Sequence, residues 1–282
     1  MTFWYQLIDY LIPFEWARYT FMKNALLGIL LVTPMFGLLG TMVINNKMAF
    51  FSDALGHSAL TGIALGVMWG IGNPIWSMLA FSIFLTIAIL KVKNANTASI
   101  DTVIGVFSST AVALGIVILS YKGGFAKYSY YLIGDLLSIT VQDIVLLSIT
   151  FLVIILLWTS VFNKLFLVSL NPSLARSRGI SVHVWEHVFA LTIAVIVTLS
   201  IKWVGTMIIS SMLILPAAAA RNITYNVKNY TFLSIGIAVF SGLSGLIVSY
   251  FLGAATGATI VLILGILFAV TYLTKLAMNL SK

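Results

Sequence analysis

The sequence predicts an all-α protein: a polytopic transmembrane bundle of about eight or nine spanning helices joined by short loops. Three observations predict it. First, 61% of the 282 residues are hydrophobic and only 8% are charged, whereas soluble domains are about a quarter charged. Mean hydropathy is accordingly high, at +1.12. Second, apolar runs long enough to cross the hydrocarbon layer as helices recur along the whole chain. Third, the basic residues fall mostly in the short connections between those runs, as they do in membrane proteins.

Taken in order, residues 1–20 (MTFWYQLIDYLIPFEWARYT) lack the basic start, clean apolar middle and small-residue cleavage site of a signal peptide. They read as an amphipathic segment lying at the interface, and residues 21–282 as the membrane domain. Apolar runs follow at 25–44, 50–69, 74–90, 102–119 and 144–161. The stretch 188–220, interrupted by Lys202 and Trp203, is too long for one span and is split into two. Runs at 232–252 and 258–274 bring the total to nine crossings, or eight if one half of 188–220 is re-entrant. Pro34 and Pro216 are expected to kink their spans. Trp69, Trp76, Trp158, Trp185 and Trp203 fall near run ends, as an aromatic belt would.

Ten of the 15 Lys and Arg lie in one set of alternate connections, including Lys47, Lys91, Lys93, Lys164, Arg176, Arg178, Arg221 and Lys228. That set is therefore assigned to the cytoplasm. The net charge of +8 meets lipid headgroups across the bilayer surface, and no basic block with interleaved aromatics argues for nucleic acid. Zero cysteines exclude disulfides, thiolate metal sites and Cys nucleophiles.

One run departs from lipid-facing composition. Residues 48–69, MAFFSDALGHSALTGIALGVMW, carry Asp53 and His57 in their first half. Four residues apart on a helix, the two side chains share a face one turn apart. Ionisable groups at membrane depth are costly and face a polar cavity that carries an ion or substrate. A carboxylate and an imidazole at that spacing can together hold a divalent metal, so the pair is read as lying on the route of a transported ion. The competing reading is a hydrogen-bonded pair that fixes helix packing.

Other polar residues in or near the runs admit more than one reading. Residues 162–187 form the longest cytoplasmic connection, in which Asn171-Pro172 reads as a helix start, 174–178 as a short helix and Gly179 as its stop. His183, Glu186 and His187 match H-x-x-E-H, a zinc-peptidase pattern. The favoured reading is polar residues in the first turn of a helix at headgroup level, where Glu186 suits the helix dipole. Asp101 is expected to cap its span. Asp135 falls in an external loop, as an ordinary loop aspartate or part of an external mouth.

The ordered set of segments resembles the integral-membrane permeases of ATP-binding-cassette importers for zinc, manganese and iron. It comprises Asp53, His57, Leu60 and Gly62; Asp101, Ile104, Gly105 and Phe107, then Ala113 and Gly115; residues 174–180; Val204-Gly205-Thr206 running into Leu213 and Pro216-Ala217-Ala218-Ala219-Ala220; and Gly257 with Ile260-Val261-Leu262. The resemblance covers roughly residues 20–275. It implies a permease in the bacterial cell membrane, working as a homodimer with a cytoplasmic ATPase and an extracytoplasmic metal-binding protein. It implies that Asp53 and His57 contact the metal, that Leu174, Ala175, Arg176, Arg178 and Gly179 couple to the ATPase, and that Asp135 stands near the external gate. No permanently bound cofactor is implied; Mn2+ or Zn2+ is cargo, with iron a further option. The chain has no G-x-x-x-x-G-K-[ST] and so is not itself the ATPase. Two alternatives are an intramembrane zinc protease using His183, Glu186 and His187, and a self-sufficient secondary carrier.

Overall fold

The computed structural model describes residues 2–11, 14–95, 98–121, 134 and 136–280. Among them are eleven α-helices and no strand: α1 Thr2–Leu11, α2 Thr20–Asn45, α3 Ala49–Met68, α4 Pro74–Asn94, α5 Ile100–Tyr121, α6 Val141–Leu170, α7 Pro172–Ser177, α8 Val182–Val204, α9 Thr206–Ile223, α10 Val227–Leu252 and α11 Thr256–Leu280. Asparagines open three of them. The side chains of Asn73, Asn171 and Asn226 accept from the backbone N–H of Ile75, Leu174 and Lys228 respectively. Proline follows Asn73 and Asn171 at the first helical position, where its missing N–H costs nothing.

Seven helices are long and apolar enough to cross a membrane: α2, α4, α5, α6, α8, α10 and α11. The other two long helices, α3 and α9, correspond to expected spans. Asp53, His57 and three glycines dilute α3, and the apolar stretch of α9, Ile208–Ile223, is shorter than a full span. Burial explains why such helices are tolerated. Thirteen of the twenty residues of α3 are buried, whereas only 17% of the most apolar windows of α6 and α11 is buried. In α3 the polar residues thus ride on a helix largely wrapped by protein.

Two boundaries and the placement of one tryptophan differ from the sequence expectation. The run 188–220 breaks at Gly205, where φ is +83°, two residues beyond Trp203. Only a residue without a Cβ adopts that backbone readily. Trp203 is fully buried, so it does not belong to an interfacial belt, unlike the exposed Trp69 and Trp76. Finally, α6 continues to Leu170, because neither Gly nor Pro interrupts residues 162–170. The connection to α8 is therefore only residues 171–181.

The chain divides into two compact units. The first comprises residues 1–41, 135–156 and 211–282. There α10 and α11 form a hairpin turned at Gly253, with φ +61°. Ser234 on α10 donates to the Gly37 carbonyl of α2 at 2.6 Å. The amphipathic helix α1 buries Ile8 and clasps the start of α2. Lys23 pairs with Asp9 at 2.6 Å, and Tyr5 donates to Asn24 at 2.7 Å.

The second unit comprises residues 42–134 and 157–210. Its centre is α3, against which α4, α5 and α8 pack. Two glycines permit the approach. A Cβ on Gly62 would meet the Met78 backbone at 2.6 Å, and one on Gly115 would meet Thr61 Oγ1 at 2.6 Å and its backbone nitrogen at 2.8 Å. Hydroxyls then cross between helices: Thr61 donates to the Ala111 carbonyl, and Thr198 of α8 donates to Ser82 of α4 at 2.8 Å. Small residues and hydroxyls are what hold membrane helices together when lipid is as apolar as leucine. Overpacking such a contact costs about 1–3 kcal/mol. Gly62→Val and Gly115→Val are therefore expected to lower the melting temperature in detergent by roughly 2–10 °C. Gly105→Ala, where an added Cβ meets nothing within 4 Å, is expected to leave it unchanged or raise it.

Candidate functional site: a carboxylate and an imidazole on α3

In the first half of α3, Phe50, Asp53 and His57 form a stripe that is not buried, while Ser52, Ala54, Leu55, Gly56 and Ser58 beside them are. His57 Nε2 stands 3.4 Å from Asp53 Oδ1, and their side chains are 33% and 42% exposed. Ser210, one turn into α9, donates to the same carboxylate oxygen at 3.1 Å. Gly56 makes that third contact possible, since a Cβ there would lie 3.2 Å from the Thr206 carbonyl oxygen. The close approach of α3 to Thr206 brings Ser210, four residues later, level with Asp53.

Ser210 and His57 thus hold one carboxylate oxygen of Asp53 while the pair stays partly open. An ionised carboxylate and a neutral imidazole so placed supply one oxygen and one nitrogen donor to a divalent cation. Two donors leave most of a coordination shell to water or to a second copy of the same stripe.

A cavity of about 360 Å³ adjoins the pair, lined by Phe50, Asp53, Asp101, Ile104, Gly105, Ser108 and Ser109. Asp101 was read from sequence as a helix cap, but Ser99 does that work. Its hydroxyl accepts from the Thr102 N–H at 3.2 Å and lies 2.8 Å from Thr102 Oγ1. The meeting of Asp101 with Asp53 depends on the register of α3 against α5, which no local pattern encodes. Ser210 was missed for the same reason, as it lies 157 residues from Asp53.

The remaining candidate residues are placed as follows. Of those on and after α7, Leu174 is exposed and Ala175 fully buried, so Ala175 anchors the short helix and cannot touch a partner. Arg178 ends the helix, and Gly179 follows with φ +72°. Glu186 pairs with Lys93 at 3.4 Å. His183 Nδ1 lies 3.1 Å from the Asn94 amide nitrogen, and His187 Nδ1 lies 2.8 Å from the His183 carbonyl oxygen. Among the described residues no group of three or more His, Cys, Asp or Glu could hold a metal, so the H-x-x-E-H pattern acquires no third ligand. Asp135 lies outside the described residues.

A family model, the ABC 3 transport family, matches residues 18–275. The chain belongs to the ABC 3 transport family. It is 31% identical over 234 residues to the high-affinity zinc uptake system membrane protein ZnuB of Haemophilus influenzae, covering 83% of this chain and 89% of that one. It is 30% identical over 254 residues to the manganese import system permease protein ScaB of Streptococcus gordonii, covering 89% and 90%. Among solved structures it matches PsaBC from Streptococcus pneumoniae in complex with Fab, with a TM-score of 0.79 at 27% identity over 95% of this chain and 94% of that one. As a member of this family the chain is a multi-pass, non-enzymatic membrane subunit of a bacterial transporter.

Partners that orient a metal ligand usually matter about 10–100-fold to affinity or activity. Ser210→Ala is therefore expected to cut metal uptake by the assembled transporter about tenfold. Thermal stability in detergent should be little changed. Uptake at the wild-type rate would remove Ser210 from the site.

Proposed function

We propose that this chain is the permease of an ATP-driven importer that carries divalent manganese or zinc, with iron a further cargo, from an extracytoplasmic binding protein into the cytoplasm. It works as a homodimer with a separate cytoplasmic ATPase, which docks at the short basic helix α7 through Leu174, Arg176 and the Arg178-Gly179 turn. The observation that carries the reading is the half-open Asp53–His57 pair, steadied by Ser210, on a long helix that is largely wrapped by protein. The relatives named for zinc uptake and manganese import support the cargo class.

The chemistry follows from what a conducting site must do. It must bind well enough to strip water from the ion, yet weakly enough to let it go. One carboxylate and one imidazole per chain are a modest ligand set. A two-fold partner doubles it to four donors, enough to dehydrate a six-coordinate ion in part. Imidazole ligates only when neutral, so protons compete with the metal. The same donors accept manganese, iron and zinc, with zinc favoured on intrinsic affinity, so which ion arrives depends on what the binding protein delivers.

Two outcomes follow. In a bacterium lacking its own importers, the chain expressed with its ATPase and binding protein should restore one metal, measured as cellular content by mass spectrometry. Asp53→Asn and His57→Ala should abolish that gain while still co-purifying with the ATPase. Retention of full uptake by both variants would refute the metal-path reading. In proteoliposomes at neutral internal pH, uptake should fall as the external pH is lowered from about 7.5 to about 5.5. An uptake rate that stays flat across that range would remove a titrating ligand from the path.

A further inference from the structure

The cavity beside Asp53 gives the path a direction. Thr61 of α3 touches both Ala111 and Gly115 of α5, and Asp101, at the other end of α5, shares the cavity with Phe50 and Asp53. The two helices therefore run parallel. Counting back from Thr61, Asp53 is level with about residue 105 and His57 with about residue 109, so Asp101 lies about one turn, or ~6 Å, nearer the start of both helices. That end is the cytoplasmic one by the distribution of Lys47, Lys91 and Lys93. Between the two carboxylates the wall is Gly105, with open space where a side chain would stand, and the hydroxyl-bearing Ser108 and Ser109 line the same cavity about one turn further on, near the level of His57.

The geometry points to Asp101 as the exit carboxylate of the ion path: the group that receives the cation from Asp53 and His57 and passes it to the cytoplasm. This assignment rests on the metal-path reading of that pair. Three features converge on it. Ser99 makes the capping bond at the start of α5, so Asp101, in the first turn where a carboxylate suits the helix dipole, is not needed for that hydrogen bond. Its side chain opens on the same cavity as the candidate ligand Asp53. The cavity wall offers oxygen donors and no imidazole, so an ion that moves there gives up its nitrogen ligand. A path with two unequal stations, the tighter one upstream, meets the requirement that an ion bind and still move on.

The test uses the complete transporter in proteoliposomes, with radiolabelled manganese and zinc as probes, and compares Asp101→Asn, Asp101→Ser, Asp101→Glu, Gly105→Leu and Asp53→Asn. Asn and Ser are both good residues at helix starts, so a purely structural Asp101 would tolerate them. The proposal expects Asp101→Asn and Asp101→Ser to lower the maximal uptake rate about tenfold, the scale of one close charge interaction. The half-saturating metal concentration should stay unchanged, because the entry side of the path is intact. Asp101→Glu should recover most of the rate, and Gly105→Leu, which fills the cavity, should slow uptake as well. If Asp53→Asn is inactive while Asp101→Asn and Asp101→Ser transport at the wild-type rate, the exit role is wrong and the metal path stands. If Asp53→Asn itself transports normally, both fall together. Co-purification with the ATPase confirms that each variant is assembled.

Discussion

The structure depends on keeping one carboxylate, Asp53, hydrated or ligated inside a layer that excludes charge. An isolated ion at that depth is expensive. The fold's answer is local and specific: His57 one turn away on α3, Ser210 reaching across from α9, and a cavity on one side instead of lipid. Around that requirement the helices sort themselves. Glycines at positions 56, 62 and 115 let neighbouring backbones close in on α3, and threonine and serine hydroxyls bond across the contacts.

The same arrangement explains why α3 is too polar to pass for a lipid-facing span although it is central to the second unit. A helix enclosed by others has no lipid to satisfy, so selection on its sequence is released toward small and polar residues. Its exposed stripe of Phe50, Asp53 and His57 is the exception. In the proposed dimer that stripe faces a polar path or a second copy, and the cytoplasmic end of the path passes beneath it toward Asp101. Asp53, His57, Ser210 and Asp101 all belong to the second unit.

Much of this was legible in the sequence because it is written locally. Apolar runs located the long helices, the Asn171-Pro172 pair marked a helix start, and the i,i+4 spacing put Asp53 and His57 on one face. What depends on register between helices was not legible. Ser210 and Asp101 meet Asp53 only through the packing of α9 and α5 on α3, and nothing near either residue in sequence announces it. The break at Gly205 was displaced toward Lys202 and Trp203 because a charge is a louder signal than a glycine. Trp203 shows the limit of aromatic-belt reasoning: near a helix end, it is nonetheless fully buried.

The central claim is that an imidazole and a carboxylate of α3 bind the transported ion. The most direct measurement is pulsed electron paramagnetic resonance on manganese(II) held in the complete transporter with an ATPase unable to hydrolyse nucleotide. The account predicts nitrogen modulation from a coordinated imidazole, lost in His57→Ala and unchanged in His183→Ala. Bound manganese with only oxygen ligands in the wild type, or nitrogen modulation that survives His57→Ala, would contradict it.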